Sequence, residues 1–530
     1  MPEATEAAPA DPVRRRRRWP ALLFSLMMVG AGVGAASVAS GLDGRTARVV
    51  GGNAPLNAGA VDSLAISAQN SPALVANPRN PANLVVASRV DTPRFSCALH
   101  TSSDGGASWA ETGLTLPESD VVACFGPDAV FDAAGTLYIA YTSFANVEGL
   151  GTVPEAVWMS KSTDGGRTLS PAAKVQGNLA FQMRLIADPA KPGRLHLTWL
   201  QAADSVAWGL ATAGRPIVTS RSDDGGATWT PPVTVSPPAR QRVVAPAMAV
   251  GDDGQLYLSY LDVGDDRLDY HGGHEGKGGE PYAGKWALVV ARSVDSGDTW
   301  TETVVDSRIA PAQRFLMLFP ATPSVSAGEG DAVYVGFHDA RTGDADVSVW
   351  ASKDSGRSWG GPRRVNDTLD KDGTSQYLPE LSVGPGGRLD VVYYDRRADP
   401  KNVRNEVSLQ SSFDKGASFG PRLRLSDRSF DSTIGFGANR DMPDLGSRLG
   451  LLATDKGALA VWADTRSEER EIGKQDLAKA LVSFSDPDPL KTPLKLGGIV
   501  VAGLGVLVLA ASLAGGRSRR REPDEAEAIG

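Results

Sequence analysis

Between residues 61 and 486 the chain is written in short runs where apolar and polar positions alternate, such as "LYLSYLD" (256–262), "VYVGFHD" (333–339) and "LDVVYYD" (389–395). A period of two places alternate side chains on opposite faces of a strand, so each run predicts a strand with at least one buried face. Clusters of Gly, Asp, Asn and Pro separate the runs and read as tight turns. Long helical stripes are not part of the pattern. The expected fold class is therefore all-β.

The runs are organised by a repeat. An eight-residue string returns as "SSDGGASW" (102–109), "STDGGRTL" (162–169), "SDDGGATW" (222–229), "SVDSGDTW" (293–300), "SKDSGRSW" (352–359) and "SFDKGASF" (412–419). Its aspartates, Asp104, Asp164, Asp224, Asp295, Asp354 and Asp414, are spaced 60, 60, 71, 59 and 60 residues apart. A period of this length marks one supersecondary unit used again and again. Each copy lies between two strand-like runs and so forms a hairpin turn. The aspartate accepts hydrogen bonds from amides just ahead of it, the serine adds a second local bond, and a glycine supplies positive φ at Gly106, Gly166, Gly226, Gly297, Gly356 and Gly416. The closing Trp109, Trp229, Trp300, Trp359 or Phe419 is available to fill the seam between neighbouring sheets.

Two further runs precede each hairpin, and they occur seven times, from "SPALVANP" (71–78) with "LVVASRV" (84–90) to "GLLATD" (450–455) with "ALAVWAD" (458–464). Four short antiparallel strands per unit, repeated around a circle, make a β-propeller. Seven units are counted, with six as the alternative if the first or last is incomplete. The seventh ends in "DLAKALVSF" (476–484) without the aspartate turn, which leaves a place for a strand from elsewhere in the chain.

The ends of the chain have another character. "RRRRR" (14–18) precedes an apolar stretch at 19–42, and a second apolar stretch at 494–516 precedes "RSRRR". Each is long enough to cross the ~30 Å hydrocarbon layer, and both arginine runs are expected to stay in the cytoplasm. The expected organisation is a cytoplasmic basic N-terminus (1–18), a signal-anchor or signal peptide (19–42), an extracytoplasmic propeller (61–486), a transmembrane helix (494–516) and a cytoplasmic tail (517–530). Outside the cytoplasm the only two cysteines, Cys97 and Cys124, are expected to form a disulfide. The net charge of −8, with acids and bases interspersed, offers no basic surface and argues against a nucleic-acid partner.

The serine, aspartate, glycine and tryptophan of the repeated string stand at the offsets of the Asp-box, or BNR repeat. On these six copies the chain resembles the sialidase-like propeller superfamily. The resemblance implies that the Asp-boxes are structural and lie on the side away from the active site. Sialidases resemble one another in three arginines that clamp a sugar carboxylate, a tyrosine nucleophile activated by a glutamate, and an aspartate acid/base. The first arginine belongs to an Arg-Ile-Pro-like triplet on the first inner strand. Here that strand reads "NSPALVANP", with Ser71 before Pro72. Candidates for the remaining roles are Asp91 as acid, and Tyr393 or Tyr394 with Glu406 as the nucleophile pair.

Candidate anion-binding residues are the arginines of the last three units. Arg341, Arg397 and Arg466 each follow an aspartate at a strand end (Asp339, Asp395, Asp464), with Arg404 and Arg440 nearby in the chain. Guanidinium groups converging on the axis would bind a carboxylate or sulfate bidentately; the alternative is a repeated Asp-x-Arg ion pair tying loops together. His271, His274 and Glu275, with Asp269, have the donor types for a metal, but a glycine-rich loop surrounds them and reads as exposed. No cofactor is expected. The functional expectation is a membrane-anchored recognition or scaffold module for a cell-surface glycan or protein, with a sialidase-like exo-glycosidase as the competing reading.

Overall fold

A computed structural model describes residues 45–485 apart from 54, 57–67, 92–95, 115–116, 118–120, 148–150, 178–179, 202–212, 267, 269–281, 313–320, 433–444 and 467–473, together with Met27, Leu504, Val506 and Leu507. The apolar stretches 19–42 and 494–516 fall outside the described residues except for those last four. Among the described residues no helix is long and apolar enough to cross a membrane.

Seven antiparallel sheets form the seven blades, six of four strands and one, the sixth, of five, with Phe430–Asp431 added on Arg404–Ser412; in all but the seventh the four main strands follow in sequential order. The first strands are Gln69–Asn77, Val121–Phe131, Ala180–Ala187, Val243–Val250, Ser324–Ala327, Gln376–Val383 and Gly450–Ala453. Each packs against the first strand of the next blade, and the last packs against the first, so these strands form a closed inner ring. Closure comes from the N-terminal side of the chain. Ala47–Val50 pairs antiparallel with Asp476–Phe484 and supplies the outermost strand of the seventh blade. The place left by the missing seventh Asp-box turn is thereby filled, and the edge of that sheet is covered.

The Asp-box turns behave as their letters require. In the first copy Ser102 Oγ accepts from the Gly106 N–H (2.9 Å) and donates to Asp104 Oδ1 (2.8 Å), while Asp104 accepts from the Ser108 N–H (2.9 Å). Trp109 Nε1 donates to the Gly106 carbonyl (3.1 Å). The aspartate bond recurs at Asp164, Asp224, Asp295, Asp354 and Asp414, and the tryptophan bond at Trp229, Trp300 and Trp359. These donors hold the carboxyls of Asp164, Asp224 and Asp354 down at about 2. The closing aromatics enter the seams: Trp109 packs against a cluster formed by Leu56, Val86 of the first blade and Val461 and Leu477 of the seventh. The turns between first and second strands share this face, as the Gly225 N–H to Gly193 carbonyl bond (2.9 Å) and the Ser355 N–H to Asp331 carbonyl bond (2.9 Å) show. Connections between second and third strands therefore lie on the opposite face.

Cys97 and Cys124 form a disulfide across the seam between the first two blades, with Cα atoms 5.6 Å apart.

Candidate functional site

The inner strands are not regular. Five of them slip register by a bulge, at Asn70/Ala73, Phe125/Asp128, Phe181/Arg184, Val244/Ala247 and Tyr377/Glu380. At each bulge one residue has positive φ: Ser71 (51°), Gly126 (56°), Gln182 (50°), Ala245 (60°) and Leu378 (54°). Only one of the five is a glycine, so the surrounding ring must impose a conformation that side chains disfavour. The bulge sets which residues next face the axis.

Those residues line a cavity of about 190 Å³ to which all seven blades contribute. Toward the Asp-box end its wall is apolar, with Val75, Ile186, Met248, Val325 and Leu451. Midway along the strands it is charged, with Asp128, Arg184, Glu380 and Arg448. Arg448 Nη1 pairs with Asp128 Oδ1 (2.9 Å), its Nε donates to the Ser71 carbonyl (3.2 Å), and its Nη2 donates to the Pro127 carbonyl. Asp128 Oδ2 also accepts the Leu185 N–H (2.9 Å). One ion pair thus joins the seventh, first, second and third blades.

The other two charges are held differently. Among the described residues the hydrogen bonds of Arg184 go to neutral groups, the Thr322 hydroxyl (3.1 Å) and the Met183 carbonyl (3.3 Å). Burial and the neighbouring Arg448 guanidinium push Arg184 down to about 10, so it remains charged at neutral pH. Glu380 accepts from Ser324 Oγ (2.9 Å). Burial raises its carboxyl to about 7, outweighing the opposing pull of the Ser324 bond, Arg448 and Arg184. A carboxyl that titrates near neutrality beside a guanidinium with neutral partners, inside a concave site, is the arrangement to examine for function.

The candidates read from the sequence lie elsewhere. Asp91 is buried at the top of the first blade, where Arg89 Nε and Nη2 (2.7 and 2.8 Å) and Asn70 Nδ2 (2.7 Å) engage both its oxygens. Tyr393 and Tyr394 lie on a second strand, one layer out from the axis, and both are fully buried. Their hydroxyls donate to Gln410 Oε1 (2.6 Å) and the Ala463 carbonyl (3.0 Å), and burial beside Asp395 pushes the Tyr393 phenol far up, away from the nucleophilic form. Glu406 is taken by Arg422 and by Arg424 (3.0 Å). The nucleophile pair is therefore not assembled, because the strand alternation that buries the tyrosines between blades delivers Glu406 to Arg424 of the next strand and to Arg422 just before it.

Arg341, Arg397 and Arg466 do not converge on the axis. Each pairs with its own strand-end aspartate, Arg341 Nε with Asp339 (2.7 Å), Arg397 Nε with Asp395 (2.7 Å) and Arg466 Nε with Asp464 (2.8 Å). Each then reaches an aspartate of the preceding blade: Asp306 (2.9 Å), Asp367 (2.5 Å) and Asp427 (2.8 Å) respectively. They are ties between blades. Arg404 donates to the Ser429 hydroxyl (3.3 Å) and carbonyl (2.9 Å). Arg440, His271, His274, Glu275 and Asp269 lie outside the described residues, and among the described residues no acidic, histidine or cysteine cluster could hold a metal.

The axial charges were missed by reasoning along the chain. Their signal was present when the inner-strand runs are stacked column by column: the position after the bulge reads Ala73, Asp128, Arg184, Ala247 and Glu380. Three charges in a column meant for the closest-packed ring are anomalous and need partners.

A family model described as a BNR repeat-like domain matches residues 58–307. No curated protein matches the sequence. Among solved structures, a protein of unknown function from Dyadobacter fermentans is 15% identical over 83% of this chain and 100% of its own, with a TM-score of 0.44. A Hadza microbial sialidase is 16% identical over 73% and 75%, TM-score 0.41, and an α-L-arabinanase from Penicillium chrysogenum 12% identical over 83% and 98%, TM-score 0.41. The match to a BNR repeat-like domain over residues 58–307 and the six Asp-box turns on seven closed blades together show a β-propeller carrying BNR-like repeats.

Proposed function

We propose that the protein is a recognition module, held at the membrane by its two apolar termini and displayed outside the cell, which binds the acidic terminus of a surface glycan in the axial cavity. The observation that carries this reading is Arg184. A charged guanidinium whose hydrogen bonds go to a hydroxyl and a carbonyl can exchange them for a bidentate carboxylate or sulfate. The cavity, about 190 Å³, is smaller than the ~300–1,000 Å³ of a typical whole-ligand pocket. It suits the end of a sugar chain, with the remainder lying outside.

The test is direct binding of the full chain to sialylated, uronate-bearing and sulfated glycans, compared with neutral ones. Binding of an acidic class that falls at least roughly ten-fold in Arg184→Ala, about 1.4 kcal/mol, supports the reading. Equal binding by the variant overturns it.

A second reading rests on Glu380. A carboxyl raised to about 7 is suited to act as a general acid toward a glycosidic oxygen, and Asp128 stands in the same cavity as a second carboxylate. Turnover of a fluorogenic glycoside panel that is lost in Glu380→Gln would establish this activity. Turnover that survives in Glu380→Gln would remove Glu380 from the role.

A further inference from the structure

Of the six Asp-box strings five close on an aromatic, and the second closes on Leu169. Leu169 packs at the seam between the first two blades, against a cluster that includes Val85 and Leu99 of the first and Leu137 of the second. On the Asp-box face of this seam a groove of about 480 Å³ opens between the two turns. The corresponding groove between the third and fourth blades is nearly filled, with about 10 Å³ left.

The repeat allows the two grooves to be compared position by position. Between the third and fourth blades Arg221 crosses the seam to Asp298 (2.8 Å) and to the Ser296 carbonyl (2.9 Å). Asp223 holds Arg221 (3.0 Å) and Arg194 (2.6 Å) together, Arg194 Nη1 donates to Ser296 Oγ (3.0 Å), and Trp300 lines the same space. Between the first and second blades these positions carry Thr101 for Arg221, Arg167 for Asp298, Ser103 for Asp223, Asn83 for Arg194 and Leu169 for Trp300. Thr101, Ser103, Asn83 and Leu169 are smaller and uncharged, so space that ion pairs and an indole occupy in one seam is open in the other. Asn83 Nδ2 still donates to the Ser102 and Gly165 carbonyls (3.2 and 3.0 Å), and the two blades stay joined although the groove is open.

The lining is suited to hydroxyl groups and an apolar face. Asn80 is exposed; its Oδ1 accepts from the Ala82 N–H (3.3 Å), and its amide N–H groups remain to donate. The exposed Ser103 and Thr163 hydroxyls each offer a donor and acceptors. Trp109 is half-buried with its Nε1–H on the Gly106 carbonyl (3.1 Å), so it brings an apolar ring to the groove and no polar tip. The two charges of the lining offset each other and are held within one turn. Asp164 accepts from the Thr168 N–H (3.0 Å), Thr168 Oγ1 (2.7 Å) and Ser162 Oγ (2.7 Å), and Arg167 Nε donates to the Asp164 carbonyl (2.9 Å). We propose that this groove is a second binding site, for a neutral oligosaccharide, with the C–H face of one sugar on the Trp109 ring and hydroxyls on Asn80, Ser103 and Thr163. The volume of about 480 Å³ lies within the ~300–1,000 Å³ of ligand pockets. The site is separate from the axial cavity and independent of Arg184. The one departure from the aromatic close of the repeated string makes room for a ligand.

Calorimetric titration of the full chain with cellohexaose, mannohexaose, galactohexaose and maltohexaose tests it. At least one of the four should bind, and Asn80→Ala should weaken that binding roughly five-fold, the worth of one hydrogen bond. The paired change Thr101→Arg, Arg167→Asp rebuilds the bridge that Arg221 and Asp298 make in the other seam; it should abolish binding while the midpoint of thermal unfolding stays at or above that of wild type. Binding of none of the four sugars, or undiminished binding by a stably folded paired variant, overturns the proposal. Should the paired variant unfold earlier than wild type, Asn80→Ala and Ser103→Ala decide, both at exposed positions: weaker binding in either supports the site, and unchanged affinity in both overturns it.

Discussion

Replacing Glu380 by glutamine should change how stability depends on pH, and its sign follows from the burial of this carboxyl. The group rises from an ordinary 4.5 to about 7 in the folded chain. Between those values the native state holds a proton that the unfolded chain has released, so stability falls as pH rises through the window. The full cost of ionising Glu380 in place is about 3 kcal/mol, reached above pH 7. Glutamine keeps the acceptor for Ser324 Oγ and cannot ionise. Urea unfolding of the propeller, followed by tryptophan fluorescence at pH 5, 6, 7 and 8, should therefore show wild type and Glu380→Gln nearly equal at pH 5, with the variant more stable by about 3 kcal/mol at pH 8. Parallel curves for the two proteins would refute the reasoning, since they would mean that Arg184 and Arg448 compensate burial completely. A ligand anion beside Arg184 would raise the carboxyl further, so acidic-glycan binding should strengthen as pH falls through 7. Calorimetry in buffers of different ionisation heat should detect the proton taken up.

Other outcomes are fixed by single contacts. Arg448→Met leaves Asp128 buried with only two backbone donors, the Ala129 and Leu185 N–H groups, and unties four blades, and should cost about 3 kcal/mol in the same unfolding experiment, with Asp128→Asn nearer half of that. The Cys97→Ala, Cys124→Ala double variant opens a loop of sequence separation 27 and should lose about 3.5 kcal/mol on the loop-entropy model; the same loss should follow from reductant acting on wild type. Deleting residues 47–50 exposes the edge of Asp476–Phe484 and should yield a protein with a lower Tm that associates through that edge, visible by light scattering. Acid should leave the Asp-box turns intact down to about pH 4, because their carboxylates stay ionised below the unfolded value and lose their bonds only as pH approaches 2; near-UV circular dichroism should hold above that point.

The sequence alone determined the blades. Asp104, Asp164 and their successors carry their turn chemistry within eight residues, so the hydrogen bonds that define each turn are local and can be read from letters. Strand alternation is equally local, and so the opposite placement of the Asp-box turns and the second-to-third-strand connections was legible too. The aspartates at Asp339, Asp395 and Asp464 could be paired with the arginines two residues on, but not with Asp306, Asp367 and Asp427, which reach them only across a seam between blades. The tyrosines looked like a nucleophile because a second strand and a first strand have the same alphabet; only packing decides which one meets the axis. Most of all, Asp128, Arg184, Glu380 and Arg448 are scattered through more than 300 residues of chain and become neighbours only because the inner strands of the seven blades pack into a closed ring. Their chemistry is a property of that closure, since a charge finds its dielectric, its partners and its pKa in three dimensions and not along the backbone.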